Sequence, residues 1–136
     1  MRRLSREIAL QSLFQFDFSP ELETESALTA VAEEHDPIRG KVALGYARDL
    51  LEGTLKNLKE IDVLLQQNLK GWDVQRLGGT ERNILRICIY EMKFAREEER
   101  LEPAVAINEA VELSKVYCDD ASPKFINGIL GSISRQ

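Results

Sequence analysis

Apolar residues recur along this chain at spacings of three and four, the signature of amphipathic helices. Leu4, Ile8, Leu13 and Phe16, with Ala9 beside them, mark a first helix. Leu28, Val31 and Ala32 mark a second. From Pro37 to about Leu69 a long helical segment carries Ile38, Val42, Tyr46, Leu50, Leu58, Ile61, Leu65 and Leu69, with a bend expected at Gly53. Ile84, Leu85, Ile87, Cys88, Ile89 and Met92 are apolar on most sides, which predicts a central, buried helix. Val105, Ala106, Ala110, Val111, Leu113 and Tyr117 form the next, and Ile126, Ile129, Leu130 and Ile133 form the last. No strand alternation or hairpin turn competes, although Ile87-Cys88-Ile89-Tyr90 alone would pass for a strand.

Punctuation supports this division. Ser19-Pro20, Asp36-Pro37 and Ser122-Pro123 each join a capping side chain to a proline at the first helical position. Glu102-Pro103 opens a helix in the same way, and Thr80 after Gly78-Gly79 gives a fifth start. The reading is an all-α chain forming a single domain over 1–136. One helical group covers about 1–70 and a second about 80–136, with Trp72 to Gly79 as the seam between them.

Composition narrows the function. No apolar run approaches the roughly 20 residues that span a bilayer, so no membrane association is expected. Cys88 and Cys118 lack CxxC spacing and read as reduced cytosolic thiols, placing the protein in the cytoplasm. His35, the one histidine, reads as a solvated side chain, and with two distant cysteines it builds no zinc site. Phosphate loops, nucleophile elbows and paired carboxylates in apolar surroundings are missing. We therefore expect no metal, no cofactor and no catalysis.

Net charge is −5, which argues against nucleic acid until its distribution is considered. Arg2, Arg3 and Arg6 crowd the first helix, whereas Asp17 to Asp36 is acidic and holds no lysine or arginine. Arg2 and Arg6 share a face, and guanidinium forks suit phosphate oxygens. Cations are disfavoured at a helix N-terminus, which hints at a ligand; a solubilising helix end is an equal reading by spacing alone. The segment Ser122-Pro123-Lys124-Phe125-Ile126-Asn127-Gly128 combines a cation, an aromatic ring and an amide in a helix's first turn. Those groups suit single-stranded RNA, although Phe125 alone reads slightly better as a core residue. The run Arg96-Glu97-Glu98-Glu99-Arg100 reads as a solvated helix end.

Four segments taken in order resemble the NusB family of bacterial antitermination factors. They are Arg2-Arg3-x-x-Arg6-Glu7-x-Ala9-x-Gln11-x-Leu13; Trp72, Arg76-Leu77 and Glu81-Arg82-Asn83-Ile84-Leu85-Arg86-Ile87 with Tyr90-Glu91; Val105 through Lys115; and Lys124-Phe125-Ile126-Asn127-Gly128-Ile129-Leu130. Only about Phe18 to Lys41 matches poorly. The resemblance implies an all-α fold of two packed three-helix groups. It also implies non-catalytic binding of the boxA element of ribosomal RNA leader transcripts, jointly with ribosomal protein NusE, within an RNA polymerase antitermination complex. It assigns Arg2, Arg3, Arg6, Lys115, Lys124, Phe125 and Asn127 to RNA, and Phe14 and Glu81 to the protein partner. The family contains monomers and homodimers.

Two positions depart from the pattern. Leu4 and Ser5 stand where relatives often carry a third basic residue, and Ala121 stands where some carry an acid. The competing reading is a helical protein–protein adaptor without specific RNA binding. A related module is also fused to ribosomal RNA methyltransferases, but 136 residues leave no room for a cofactor-binding α/β domain beside it.

Overall fold

In a computed structural model that describes residues 1–136, every predicted apolar segment is helical. The helices are α1 (Arg2–Phe18), α2 (Thr24–His35), α3 (Arg39–Lys56), α4 (Leu58–Gln67), α5 (Gly79–Ile89), α6 (Pro103–Tyr117) and α7 (Ser122–Ser134). Helices α1, α2 and α3 pack on one another, as do α5, α6 and α7. Helix α5 joins the groups by packing on α1, and α4 sits against α3, α5 and α7. One continuous cluster of 27 buried apolar residues draws on all seven helices, so both groups share a core. The Trp72–Gly79 connection is tied into it: Val74 is buried, and Gln66 donates to Trp72 O at 2.6 Å and accepts from Val74 N at 3.0 Å.

Several predicted boundaries move. The 37–69 segment does not bend at Gly53; it breaks at Asn57, whose side chain donates to Gly53 O at 2.8 Å and competes for the helical carbonyl. Gly53 instead makes room for the Tyr90 ring, since a Cβ there would lie 2.2 Å from Tyr90 Cε1. Ser19-Pro20 forms a turn, and α2 starts later, at Thr24. Gly78, not Thr80, occupies the cap of α5. Ser122 does not cap α7: its hydroxyl donates to Glu81 Oε2 at 2.5 Å. His35 is not merely solvated, because its Nε2 lies 2.7 Å from Gln11 Oε1 on α1.

Asp36-Pro37 also opens a turn rather than the helix itself, since α3 starts at Arg39, but the Asp36 side chain holds that turn. Its Oδ1 accepts from Ile38 N and Arg39 N, both at 2.9 Å. Helix α5 ends in a π-turn, Tyr90–Phe94, closed by Ala95 N donating to Tyr90 O at 2.9 Å. Segment 87–90, strand-like in sequence, is thus helical, and the π-turn brings Glu91 inside the molecule at 2% exposure.

Two glycines of α3 separate packing from propensity. A Cβ on buried Gly40 would sit 2.5 Å from Ala32 O, where backbone meets backbone at the α2–α3 contact. Gly45 has nothing within 4 Å. Gly40→Ala is therefore expected to destabilise by about 1–3 kcal/mol, and Gly45→Ala to stabilise by about 0.5–1 kcal/mol, in chemical denaturation. Asp36 gives a pH test. The backbone bonds from Arg39 and Ile38 hold its carboxyl below the usual aspartate range. Its contribution is present above the unfolded-state pKa and is lost as pH falls through the lower folded value. Asp36→Asn keeps a capping oxygen, so its stability near pH 7 should match the parent while its acid sensitivity is reduced.

Candidate nucleic-acid interface

Helix α1 carries three arginines, and the structure treats them differently. Arg6 is only 4% exposed. Its Nε donates to Glu91 Oε1 at 3.0 Å and its Nη2 to Glu91 Oε2 at 2.9 Å, a two-pronged pairing across 85 positions of sequence. Glu109 accepts from Arg6 Nη1 at 3.4 Å. Tyr46 of α3 donates its hydroxyl to Glu91 as well. Burial disfavours the charge on Arg6, but the hydrogen bond and charge of Glu91 outweigh it and raise the guanidinium pKa. Burial, followed by the charge of Glu91, also raises the Tyr46 phenol, which stays a donor. Arg6 thus ties α1 to α3, the π-turn and α6, and with 4% of its surface exposed it forms part of the floor of a groove.

Arg2 and Arg3 are exposed. The Arg2 guanidinium stacks 4.0 Å above the Tyr46 ring, which restricts its swing without occupying its N–H groups. Arg3 pairs with Glu109 at 3.4 Å, a loose contact with the arginine side chain 59% exposed. These residues border an open groove of about 660 Å³ whose opposite wall is Glu98, Glu99, Arg100, Leu101 and Val105. Tyr46, Glu91, Glu109 and Arg100 were not assigned to the site from sequence. A signal for Glu91 existed: Arg6 precedes the apolar Ile8, Ala9 and Leu10, and Glu91 follows an apolar helix. A lone cation and a lone acid inside apolar faces call for each other.

A second groove, of about 370 Å³, forms where α7 begins. Trp72, Arg76, Leu77, Glu81, Ser122 and Phe125 line it with Gly78, Asp119 and Ala121. Phe125 is half-buried: it packs against the core, as the core reading of the ring expects, and also lines this groove. Lys124 and Asn127 are exposed on the same helix. Lys115 is exposed on α6 and donates to Glu112 at 2.8 Å, a hydrogen bond that holds the Glu112 carboxyl below its usual range. Burial leads the rise of the neighbouring Cys118 thiol to about 11, so it stays protonated at neutral pH.

Helix α6 is tied to α1 at two points. Arg3 meets Glu109, and Tyr117 donates to Glu7 Oε2 at 2.5 Å. At 1.5 Å per residue, Glu109 to Tyr117 spans roughly 12 Å. The residues predicted for RNA therefore divide into an α1 set, Arg2 and Arg3 above Arg6, and an α6–α7 set, Lys115, Lys124, Phe125 and Asn127. Glu81, predicted to face a protein, lines the second groove with Phe125. Phe14 abuts the start of α5, where a Cβ on Gly79 would lie 3.5 Å from its ring, and its ring is 5.1 Å from that of Phe18, which is 75% exposed.

Behind Phe14 the molecule is braced by a second polar network. Arg86, 5% exposed, donates to both oxygens of Asp62 at 2.9 and 2.8 Å and to Asn83 Oδ1 at 3.0 Å. Asp17 accepts from Asn83 at 2.9 Å and from Arg82 at 3.2 Å. Much of the Glu81-Arg82-Asn83-Ile84-Leu85-Arg86 motif is thereby explained as structure joining α1, α4 and α5.

The family model described as "NusB family" matches residues 3–135. The transcription antitermination protein NusB of Heliobacterium modesticaldum is 42% identical over 135 residues, covering 99% of this chain and 63% of that relative. Its counterpart in Desulforamulus reducens is 40% identical, covering 97% of this chain and 88% of the relative. Among solved structures, T. maritima NusB superposes with a TM-score of 0.85 at 35% identity, covering 100% of this chain and 92% of that one. A structure of antitermination factors NusB and NusE in complex with dsRNA gives 0.82 at 31% identity, covering 98% and 96%. The match runs through α1, the α5 motif, α6 and the start of α7 without interruption, and the chain belongs to the NusB family.

Proposed function

We propose that this protein is an RNA-binding transcription antitermination factor. It binds boxA-type single-stranded RNA of ribosomal RNA leader transcripts together with ribosomal protein NusE, and it acts in the cytoplasm within an RNA polymerase antitermination complex. The observation that carries the reading is the α1 groove, where Arg2 and Arg3 stand exposed on a helix that Arg6 fixes from beneath. The relatives named above are antitermination proteins, and one structural neighbour is complexed with NusE and RNA.

On this reading Arg2 and Arg3 meet phosphate from α1, and Arg6, 4% exposed and paired with Glu91, acts as a positioning residue. Phe125 offers one ring face for stacking, with Lys124 for phosphate and Asn127 for base edges. RNA laid along α6 would meet both sets, and Lys115 with it. Phe14, Phe18 and Glu81 form the protein-facing side. No helix is long and apolar enough to cross a membrane.

The test is titration onto a labelled boxA-type RNA, a scrambled strand and a duplex, over a range of salt, with and without NusE. Preference for the boxA strand, tightened by NusE, is the expected result; equal, weak binding to all three with no effect of NusE contradicts the reading. Replacing Arg2 and Arg3 by alanine should lower the log–log salt slope by about 1.4, at about 0.7 per phosphate contact on single strands. Phe14→Ala should weaken NusE binding by about tenfold, as loss of a buried aromatic anchor does, and leave RNA binding by the protein alone unchanged.

A further inference from the structure

The α1 groove has two walls, and only one belongs to the motif shared by the α1 arginines. The other is the short 3₁₀ turn Glu97–Glu99 and the strand of chain after it, which carries Arg100 into the groove. By sequence this stretch reads as a solvated helix end, with its acids outnumbering its bases. The structure redistributes those charges. Arg96 hydrogen-bonds Glu99 at 2.7 Å and lies 3.8 Å from Glu98, so it offsets one of the two negative charges on that wall. Glu109, the remaining acid of the groove, is shared by Arg3 and Arg6. Arg2 and Arg100 enter no ion pair; after the Arg96 hydrogen bond, Arg2 helps hold the Glu99 carboxyl below its usual range, and the two cations together exceed the one acid charge that Arg96 leaves on that wall.

Arg100 is also held in place. Its Nε donates to Ala95 O at 2.8 Å, which leaves its terminal N–H groups for another acceptor. The following residue is pinned, because Leu101 N donates to Glu91 O at 3.1 Å. The same Glu91 whose carboxylate seats Arg6 thus anchors, through its carbonyl, the chain that presents Arg100. Both walls are referred to one residue, so the span between Arg2 and Arg100 is set by the core. A guanidinium oriented through Nε with its terminal edge open is a ready partner for phosphate oxygens.

We infer that Arg100 is a phosphate-binding residue of the RNA site, supplying from the second wall of the groove the third cation that Leu4 and Ser5 do not supply in α1. This rests on the RNA-binding reading above and adds to it a residue outside the motif segments.

The experiment compares the full chain with Arg100→Ala and Arg100→Lys on the boxA-type RNA across a salt series, with a thermal melt of each variant. Arg100→Ala should weaken binding about five- to tenfold near physiological salt and lower the log–log slope by about 0.7, the contribution of one single-strand phosphate contact. Arg100→Lys keeps the charge but loses the Nε bond to Ala95; it should retain the parent slope with an intermediate affinity. NusE binding in the absence of RNA should be unchanged in both. If Arg100→Ala binds with the parent slope, or if both variants lose affinity equally with the slope intact, Arg100 acts only on loop structure and the inference is overturned. If the parent chain shows no salt-dependent preference for the boxA strand, the RNA-binding reading fails first and this inference with it.

Discussion

The pairing of Arg6 with Glu91 is the constraint on which the presentation of this surface depends. A buried arginine and a buried carboxylate are each costly alone, and removing one leaves the other uncompensated, at about 3–5 kcal/mol. Here the pair is two-pronged, with Tyr46 and Glu109 meeting the remaining hydrogen-bonding capacity. The contact joins the first turns of α1 to the end of α5, the middle of α3 and the middle of α6. An apolar contact would bind these elements as strongly, but it would not fix which side of α1 faces inward. Directional hydrogen bonds do, and the orientation of Arg2 and Arg3 follows from them.

Two other features follow from where Glu91 lies. The π-turn at Tyr90–Phe94 places its side chain inside, and its carbonyl accepts from Leu101, tying down the turn before α6. Tyr46 serves twice, as donor to Glu91 and as the platform under Arg2. Polar core and cationic surface are therefore layers of one structure: Glu91 lowest, Arg6 and Tyr46 above it, Arg2 outermost. At the far end of α6, Phe125 is treated similarly, with part of the ring in the core and part in a groove.

The helices were legible in the sequence because spacing of apolar residues reports burial directly, and Pro103 marked a start that the structure keeps, whereas α3 starts two residues after Pro37. The break at Asn57 was not, because Leu58, Ile61 and Leu65 continue the apolar pattern across it; the interruption comes from an amide competing for a helical carbonyl. Gly53 drew attention as a bend, yet its role is set by a tyrosine 37 positions later, which no local pattern reports. The site was half legible. Arginines at helical spacing in α1 pointed to phosphate, but which of them face water depends on a carboxylate far along the chain. Arg100 was hidden for the same reason: its neighbours Glu98 and Glu99 outweigh it in sequence, whereas in space both lie against Arg96.

The central claim is that Arg6 holds the RNA-binding surface without belonging to it. Replacing both partners at once, Arg6→Met with Glu91→Met, tests this most directly, because apolar side chains of similar volume remove the pair without stranding a charge. The measurement is the salt dependence of boxA-type RNA binding by this double variant. The account predicts a folded protein whose log–log slope equals that of the parent. A slope lower by about 0.7 would show that Arg6 itself meets a phosphate, and would contradict it.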